Sequence, residues 1–433
     1  MNRPATSWAG YLPPTLILLV FGTLTGLWMT GYETNYRAIL AWFGMYQPTP
    51  PFLDTHAILA ALECHAAGMD VTQANPCDIQ NRPHVYGSLW LWLSPLRLDR
   101  AMVIPVGIGL DLLFIAGLFA LPRAVLWREV PVLACAFVSP AVIFALERAN
   151  NDIVVWLMAL AAVWLALRGS LARAAAYGIA VIAALLKFYP ALLLVLLGRE
   201  RLGRALAIFL PLAGLIVWVV RRETAQAEHF FHYSAYHTDA FGAWNIAYSL
   251  LANRADAPWQ KLAMVAMVVT LTAYALSLSV RMVSRFSLLP LIRALPAWEA
   301  WLAMSGASML IACFFAGPSI VYRAIHLLLV LPAVLSLWRN ADSRPARLLL
   351  AGVAWVIVWC LWSEATHNHI MQTTRGTDIL SETQLALIGI VTGLRELAWW
   401  WLISVLIALA GCIGLTSPAG TDFCRLLRIR LPG

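Results

Sequence analysis

Charge is scarce in this chain. Asp, Glu, Lys and Arg make up 12% of its 433 residues, whereas 61% of the residues are apolar. A soluble domain is about a quarter charged and slightly under half apolar. Of the 30 basic residues, only Lys187 and Lys261 are lysines. This composition excludes an ordinary soluble enzyme and favours a protein that lies within a membrane.

Several familiar signatures are also missing. The sequence contains no P-loop, no Gly-x-Ser-x-Gly elbow and no His-Glu-x-x-His zinc motif. Its net charge of +8 comes from arginines that stand singly or in small groups between apolar runs, without a basic stripe or a nucleic-acid-binding fold signature. Histidines in two polar stretches match no zinc spacing. We therefore expect no nucleic-acid partner and no metal or other cofactor. These histidines are His229, His232, His237, His367 and His369.

Long apolar runs fill most of the chain. A run of about 20 such residues crosses the hydrocarbon core as a helix, because every backbone polar group is then satisfied internally. We predict a single all-α, polytopic membrane domain over 1–433, built as a bundle of about 12 membrane-spanning or half-spanning helices. The predicted spans lie near 11–31, 101–121, 131–146, 152–168, 174–187, 189–198, 205–220, 262–280, 298–316, 324–338, 347–363 and 395–415.

The arginines predict the orientation of this bundle. If the N-terminus is cytoplasmic, the short arginine-bearing connections and the basic C-terminal tail fall on the cytoplasmic side. The longer polar segments 32–100, 221–260 and 364–384 then face the periplasm. The excess of arginine over lysine suggests a GC-rich bacterium. We expect a multi-pass protein of a bacterial inner membrane, with both termini in the cytoplasm.

The first outer segment carries a carboxylate at a predicted helix start. Apolar residues recur at helical spacing over 54–65, and Asp54 stands where an N-cap is expected. Asp54 is therefore either a simple helix cap or a general base that removes a proton from an acceptor hydroxyl. The two roles are compatible.

Two further features mark the same segment. The Trp-rich stretch 86–98 predicts an interfacial element, because amphipathic rings settle at the level of the lipid head groups. Cys64 and Cys77 both fall in this segment, so an oxidising periplasm could join them.

A compact polar turn, Ala-Leu-Glu-Arg-Ala-Asn-Asn-Asp over 145–152, separates two apolar runs. One interpretation is an exposed hairpin in which Asp152 caps the next helix. The other is one wall of a sugar or acceptor pocket, in which carboxylates and amides bind hydroxyl groups. The candidate binding residues are Glu147, Arg148, Asn151 and Asp152.

Cations lie within one apolar run and at the start of another. Lys187-Phe188-Tyr189-Pro190 breaks the stretch 174–198 into two halves, and a cation at membrane depth is costly. Lys187 either extends to the outer head groups or supplies a point charge for a phosphate. Tyr322, Arg323 and His326 open the span near 324–338, and the last two lie about one helical turn apart. Extension to the head groups explains Arg323 alone but not the whole set.

Taken in chain order, these pieces resemble glycosyltransferase family 87, the mannosyl- and arabinofuranosyltransferase group of the GT-C superfamily. ALERANND together with LLKFYP is the more specific part of the likeness. At Tyr86-Gly87-Ser88 the family often has Tyr-Pro-Pro, so the loop is expected to differ there. The matching pieces are 52–54, 68–78, 86–92, 145–152, 185–190, 241–245 and 322–326.

The resemblance implies an outer catalytic cavity and an inverting, metal-independent transfer from a polyprenyl-phosphate sugar to a lipid or glycan acceptor of the cell envelope. It implies that Asp54 is the general base and that Lys187 and Arg323 bind the donor phosphate, with Tyr322 and His326 nearby. A lipid-linked-sugar transporter or flippase would share the spans and the broken helix, but the chain lacks internal repeats and its polar residues concentrate on one face. A non-catalytic scaffold is the third interpretation.

Overall fold

The computed structural model describes residues 8–45, 50–227, 240–251, 258–317, 319–374 and 382–429, and most of them are helical. Within these ranges, nine helices are long and apolar enough to cross a membrane. This confirms an all-α, multi-pass membrane protein. The count of about 12 spans is not confirmed, because three further apolar helices are shorter: Asn151–Ala166, Ser170–Leu186 and Tyr189–Arg199.

The α-helices are numbered in chain order. The first nine are α1 (Leu12–Met29), α2 (Glu33–Trp42), α3 (Leu53–Ala66), α4 (Val103–Ala120), α5 (Val130–Phe137), α6 (Pro140–Glu147), α7 (Asn151–Ala166), α8 (Ser170–Leu186) and α9 (Leu202–Ala227). The others are α10 (Asn245–Leu251), α11 (Pro258–Arg285), α12 (Leu288–Arg293), α13 (Ala297–Ala316), α14 (Leu327–Asn340), α15 (Arg344–Thr374), α16 (Glu382–Thr416) and α17 (Pro418–Leu426).

Shorter elements complete the described fold. Two strands, β1 (Ala240–Phe241) and β2 (Ser319–Ile320), pair antiparallel. The 3₁₀ helices are Ala9–Tyr11, Ser88–Leu96, Arg100–Met102, Tyr189–Arg199 and Val321–His326.

Helix α13 lies at the centre of the bundle and packs against α7, α14, α16 and the 3₁₀ helix Tyr189–Arg199. Close approach at one point depends on Gly306, where a Cβ atom would lie 2.7 Å from the His326 carbonyl oxygen. The neighbouring helix α14 is buried over nearly its whole length. This packing anchors the 3₁₀ helix Val321–His326, which runs directly into α14.

Prolines explain two interruptions. The predicted span 131–146 is divided between α5 and α6, because Ser139 precedes Pro140 and adopts an extended conformation, as residues before proline usually do. The predicted break after α8 is confirmed: Lys187 is extended, and Pro190 lies in the first turn of the following helix. That helix is 3₁₀ rather than α.

The segments expected outside the membrane contain more helix than the sequence predicted. Helix α2 was not anticipated. Helices α9 and α11 extend into the segment 221–260, and α15 and α16 extend into 364–384. Residues 228–239, 252–257 and 375–381 of these two segments lie outside the described residues.

The prediction that Asp54 is an N-cap is wrong. Phe52, in the left-handed conformation, is the N-cap of α3, and Asp54 is the second residue of the helix. Near the other end of α3, Cys64 forms a disulfide with Cys77. The Trp-rich stretch forms the 3₁₀ helix Ser88–Leu96, in which Trp92 is 77% exposed, as an interfacial element would be.

The disulfide predicts the number of reactive thiols. Five cysteines are free and two are joined. Maleimide labelling of the purified, denatured protein should therefore add five labels before reduction and two more after it, as counted by mass spectrometry. Seven labels without reduction would show that the bond between Cys64 and Cys77 does not form. A Cys64→Ser, Cys77→Ser double variant is the control, because its count of five should not change on reduction.

Candidate functional site

The start of α3 is docked onto the turn between α6 and α7. The backbone N–H of Phe52 donates to the Glu147 carbonyl at 2.7 Å, and that of Asp54 donates to the Arg148 carbonyl at 3.2 Å. The Thr55 hydroxyl donates to a third carbonyl of the same turn at 2.7 Å. The carbonyls of the turn thus accept hydrogen bonds from the first residues of α3, where a side-chain cap would otherwise be the acceptor. The Asp54 carboxylate is consequently free to point elsewhere.

Asp54 instead points to two guanidinium groups and an amide. Its Oδ1 lies 3.3 Å from Arg148 Nη1 and 3.7 Å from Arg82 Nη1, and its Oδ2 accepts a hydrogen bond from Asn150. The Asp54 side chain is 6% exposed, while those of Arg148 and Arg82 are 21% and 30% exposed. We call Asp54, Arg82, Arg148 and Asn150 the Asp54 cluster.

Arg82 was not identified from the sequence, although it orients this cluster from the first outer segment. Its guanidinium binds Asp78 through Nε at 2.8 Å and donates to the Leu53 carbonyl at 3.0 Å. Burial raises the pKa of the Asp78 carboxyl, but hydrogen bonds and charge from Arg82 outweigh burial and leave that pKa below its usual value. Asp78 is therefore ionised at neutral pH, and it also accepts from His56 Nδ1 at 3.2 Å.

The turn itself is buried, so its interpretation as an exposed hairpin is wrong. Asn150, Asn151 and Asp152 are at most 3% exposed. The helix cap is Asn150, not Asp152, because the Asn150 side chain accepts from the Asp152 backbone N–H at 2.8 Å. Ala149 adopts the left-handed conformation that turns the chain between the two helices.

A second cluster surrounds Asp152. Lys187 Nζ lies 2.9 Å from Asp152 Oδ2, and Arg323 Nε lies 3.8 Å from the same oxygen. The Tyr189 hydroxyl donates to Asp152 Oδ1 and lies 2.7 Å from His326 Nε2. Since the tyrosine has one hydrogen to give, His326 Nε2 must supply the hydrogen of the second bond. We call these five residues the Asp152 cluster.

Lys187 does not extend to the head groups. It is 8% exposed and sits among the rings of Tyr86, Tyr189 and Tyr322, whose centroids lie 5.6 to 6.0 Å from its ammonium nitrogen. Such rings favour a cation through their electron-rich faces. The lysine is therefore held as an internal charge at the break between two helices.

The predicted proximity of Arg323 and His326 is confirmed. Both lie on the 3₁₀ helix Val321–His326, where side chains three residues apart eclipse each other. Arg323 Nη1 also donates to the Ser319 hydroxyl at 2.9 Å. Its side chain remains 26% exposed, the largest exposure among the charged groups of the Asp152 cluster.

Asn150 joins the two clusters. Its side-chain amide donates to Asp54, while its side-chain oxygen caps the helix that begins with Asn151 and Asp152. Asn151 is a binding residue predicted from the sequence, whereas Asn150 and Tyr189 were not predicted. The Asn151 amide nitrogen has no hydrogen-bond partner within the described residues. Asn150, Asn151 and Asp152 are all of residue types that favour an N-cap, so residue type alone does not tell which of them caps the helix.

Glu147 is the predicted site residue that points away from both clusters. Its carboxylate lines a narrow space beside α1 and α2, with Phe21, Leu24 and Tyr36. Neither carboxylate oxygen has a hydrogen-bond partner among the described residues. The structure therefore gives Glu147 no contact with Asp54 or Asp152 through its side chain.

Comparison with known proteins adds no relative: no family model, no curated protein and no solved structure matches this chain. Within the described part of the chain, no three His, Cys, Asp or Glu side chains form a metal-binding group. Three of the five histidines considered from the sequence, His229, His232 and His237, lie outside that part.

The bridging role of Asn150 can be tested by comparing Asn150→Ala with Asn150→Asp. The alanine variant loses both the cap and the donor to Asp54, at a cost of roughly 1–3 kcal/mol. The aspartate variant keeps a capping oxygen but places a second carboxylate against Asp54. Both should lower the thermal unfolding midpoint in detergent. An Asn150→Asp variant as stable as the wild type would mean that capping is the only role of this side chain.

Gly87 lies where the loop after Tyr86 contacts the break after α8. Its N–H donates to the Leu186 carbonyl at 3.1 Å, and a Cβ atom there would lie 1.8 Å from the Leu185 carbonyl oxygen. The loop thus lies directly against the break after α8, at a distance that only glycine permits. A proline at this position would also lack the N–H that makes this bond.

We predict that Gly87→Ala displaces the loop and moves Tyr86 away from Lys187. Overpacking of this kind costs roughly 1–3 kcal/mol, so the unfolding midpoint should fall. Gly109→Ala is the matched control, because a Cβ atom there meets no other atom within 4 Å. Equal midpoints for the two variants would contradict the close docking of the loop.

Proposed function

We propose that this protein is an inverting glycosyltransferase that moves a sugar from a polyprenyl-phosphate donor to a hydroxyl of a lipid or glycan acceptor. The observation that carries the proposal is that one residue, Asn150, links two kinds of group. Its amide binds the Asp54 carboxylate, and its oxygen caps the helix that carries Asp152. The cations Lys187 and Arg323 lie beside Asp152. Acid–base chemistry and phosphate binding require these two kinds of group.

The reaction follows from the two clusters. Asp54 takes the proton of the acceptor hydroxyl while that oxygen bonds to the anomeric carbon. The bond between the anomeric carbon and the phosphate oxygen breaks, and its electron pair leaves with the polyprenyl phosphate. Lys187 and Arg323 stabilise the charge that develops on this leaving group, because fixed cations in a partly buried site need no reorganisation. One displacement inverts the configuration of the sugar.

The side-chain partners favour one displacement over two. A retaining mechanism needs a second carboxylate that is free to attack the sugar. Asp152 is held by Lys187 and by the Tyr189 hydroxyl, and Glu147 points toward α1 and α2. Asp54 is left as the base, and no second carboxylate of the two clusters is free to act as a nucleophile.

The position of the clusters favours an enzyme over a transporter. Their residues lie at the ends of elements: the starts of α3 and α7, the end of α8, and the 3₁₀ helix before α14. Transporter sites usually lie near the middle of the membrane, between repeated halves. We place the reaction on the periplasmic face of a bacterial inner membrane, with both termini cytoplasmic, as the distribution of arginines indicates.

Release of free polyprenyl phosphate tests the proposal. The purified protein would be incubated in detergent, with EDTA, with a panel of short-chain polyprenyl-phosphate sugars and an envelope lipid extract as the source of acceptor. Wild type should release carrier from one donor. Asp54→Asn should bind that donor but lose about 10²–10⁴-fold in rate, the usual contribution of a general base.

Asp70→Asn is the matched control, because Asp70 is exposed on the same outer segment, forms hydrogen bonds with Thr72 and belongs to neither cluster. It should retain the wild-type rate. Tight donor binding without release by any protein would contradict the enzyme and favour the transporter. Release that occurs only when EDTA is left out would contradict metal independence.

A further inference from the structure

Asp152 already pairs with the two cations that a donor phosphate would need. It is fully buried, forms an ion pair with Lys187 at 2.9 Å and lies 3.8 Å from Arg323. An incoming phosphate therefore meets two cations whose charge is partly cancelled. The surplus is one positive charge, because the other guanidinium groups nearby, Arg82 and Arg148, face Asp54 and Asp78.

Asp152 cannot readily leave the cations when a ligand enters. It lies in the first turn of α7, its backbone N–H is held by Asn150, and Tyr189 donates to its other oxygen. The first two turns of α7 are anchored by Ile153 and Trp156, both fully buried. The carboxylate therefore remains beside the phosphate, and the surplus of one positive charge compensates one negative charge of a ligand. Further negative charge on the ligand stays uncompensated, which is costly where polarity is low.

We propose that Asp152 determines specificity by matching the cation pair to a singly charged phosphodiester and discriminating against a diphosphate. A sugar on a polyprenyl monophosphate carries one negative charge, whereas a sugar on a polyprenyl diphosphate carries two. This inference rests on the proposed function, because it assumes that Lys187 and Arg323 bind the donor phosphate. It adds the residue that selects this carrier over a diphosphate.

Binding of three probes with the same lipid tail tests this role without any sugar transfer. Farnesyl methyl phosphate, farnesyl phosphate and farnesyl diphosphate carry about one, two and three negative charges at pH 8. Wild type should bind them in that order of decreasing affinity, with at least about a tenfold difference between first and last. Asp152→Asn leaves two uncompensated cations, so its tightest ligand should become farnesyl phosphate, which carries about two negative charges. Asp152→Glu should keep the wild-type order.

Asp70→Asn is the matched control, because it also removes one carboxylate charge, but from an exposed residue outside both clusters. It should keep the wild-type order. The same change of preference in Asp70→Asn would show that the overall charge of the protein, and not Asp152, sets the order, and would overturn the inference.

The wild-type series is decisive even if Asp152→Asn fails to fold. Tightest binding of the diphosphate by wild type would overturn the role of Asp152 while leaving the proposed transferase intact. Binding of none of the three probes would instead remove the phosphate site on which the proposed function depends.

Discussion

The side chain of Asn150 is the interaction on which the candidate site depends. One amide donates to Asp54 and, through its oxygen, caps the helix that carries Asp152. The separation between the two carboxylates is therefore set by one rigid side chain rather than by loop packing. Because Asn150 is fully buried, losing either bond would leave an unsatisfied polar group, which is costly in a bundle that lies in a membrane.

Backbone hydrogen bonds support the same arrangement from the other side. Helix α3 uses carbonyls of the 147–149 turn in place of a cap, so the carboxylate at its second position stays available. Arg82 then holds that carboxylate from the first outer segment, which Cys64 and Cys77 fasten to the far end of α3. Lys187 is extended at the break after α8, and from there its ammonium group reaches Asp152. Polar groups from distant parts of the chain thus satisfy one another.

The sequence predicted the features that depend on local pattern. Apolar runs predicted the bundle, Lys187-Phe188-Tyr189-Pro190 predicted the break, and the spacing of Arg323 and His326 predicted a shared face. Contacts between distant residues were missed. Nothing near Asp54 in sequence shows that a turn 94 residues later satisfies its helix start, so the N-cap prediction failed. Helices α7 and α8 have 16 and 17 residues, fewer than the about 20 that cross the hydrocarbon core, so the count of about 12 spans is not confirmed.

The proposed roles of Asp54, Lys187 and Arg323 are tested most directly by an experimental structure of the protein bound to a non-cleavable phosphonate analogue of a polyprenyl-phosphate sugar. If the two cations bind the donor phosphate, the phosphonate lies between Lys187 and Arg323, within ion-pair distance of both. The anomeric carbon then faces the Asp54 side of Asn150, with room for an acceptor hydroxyl between them. A phosphonate bound away from these cations, or Asp54 on the same side of the sugar as the phosphonate, would contradict these roles.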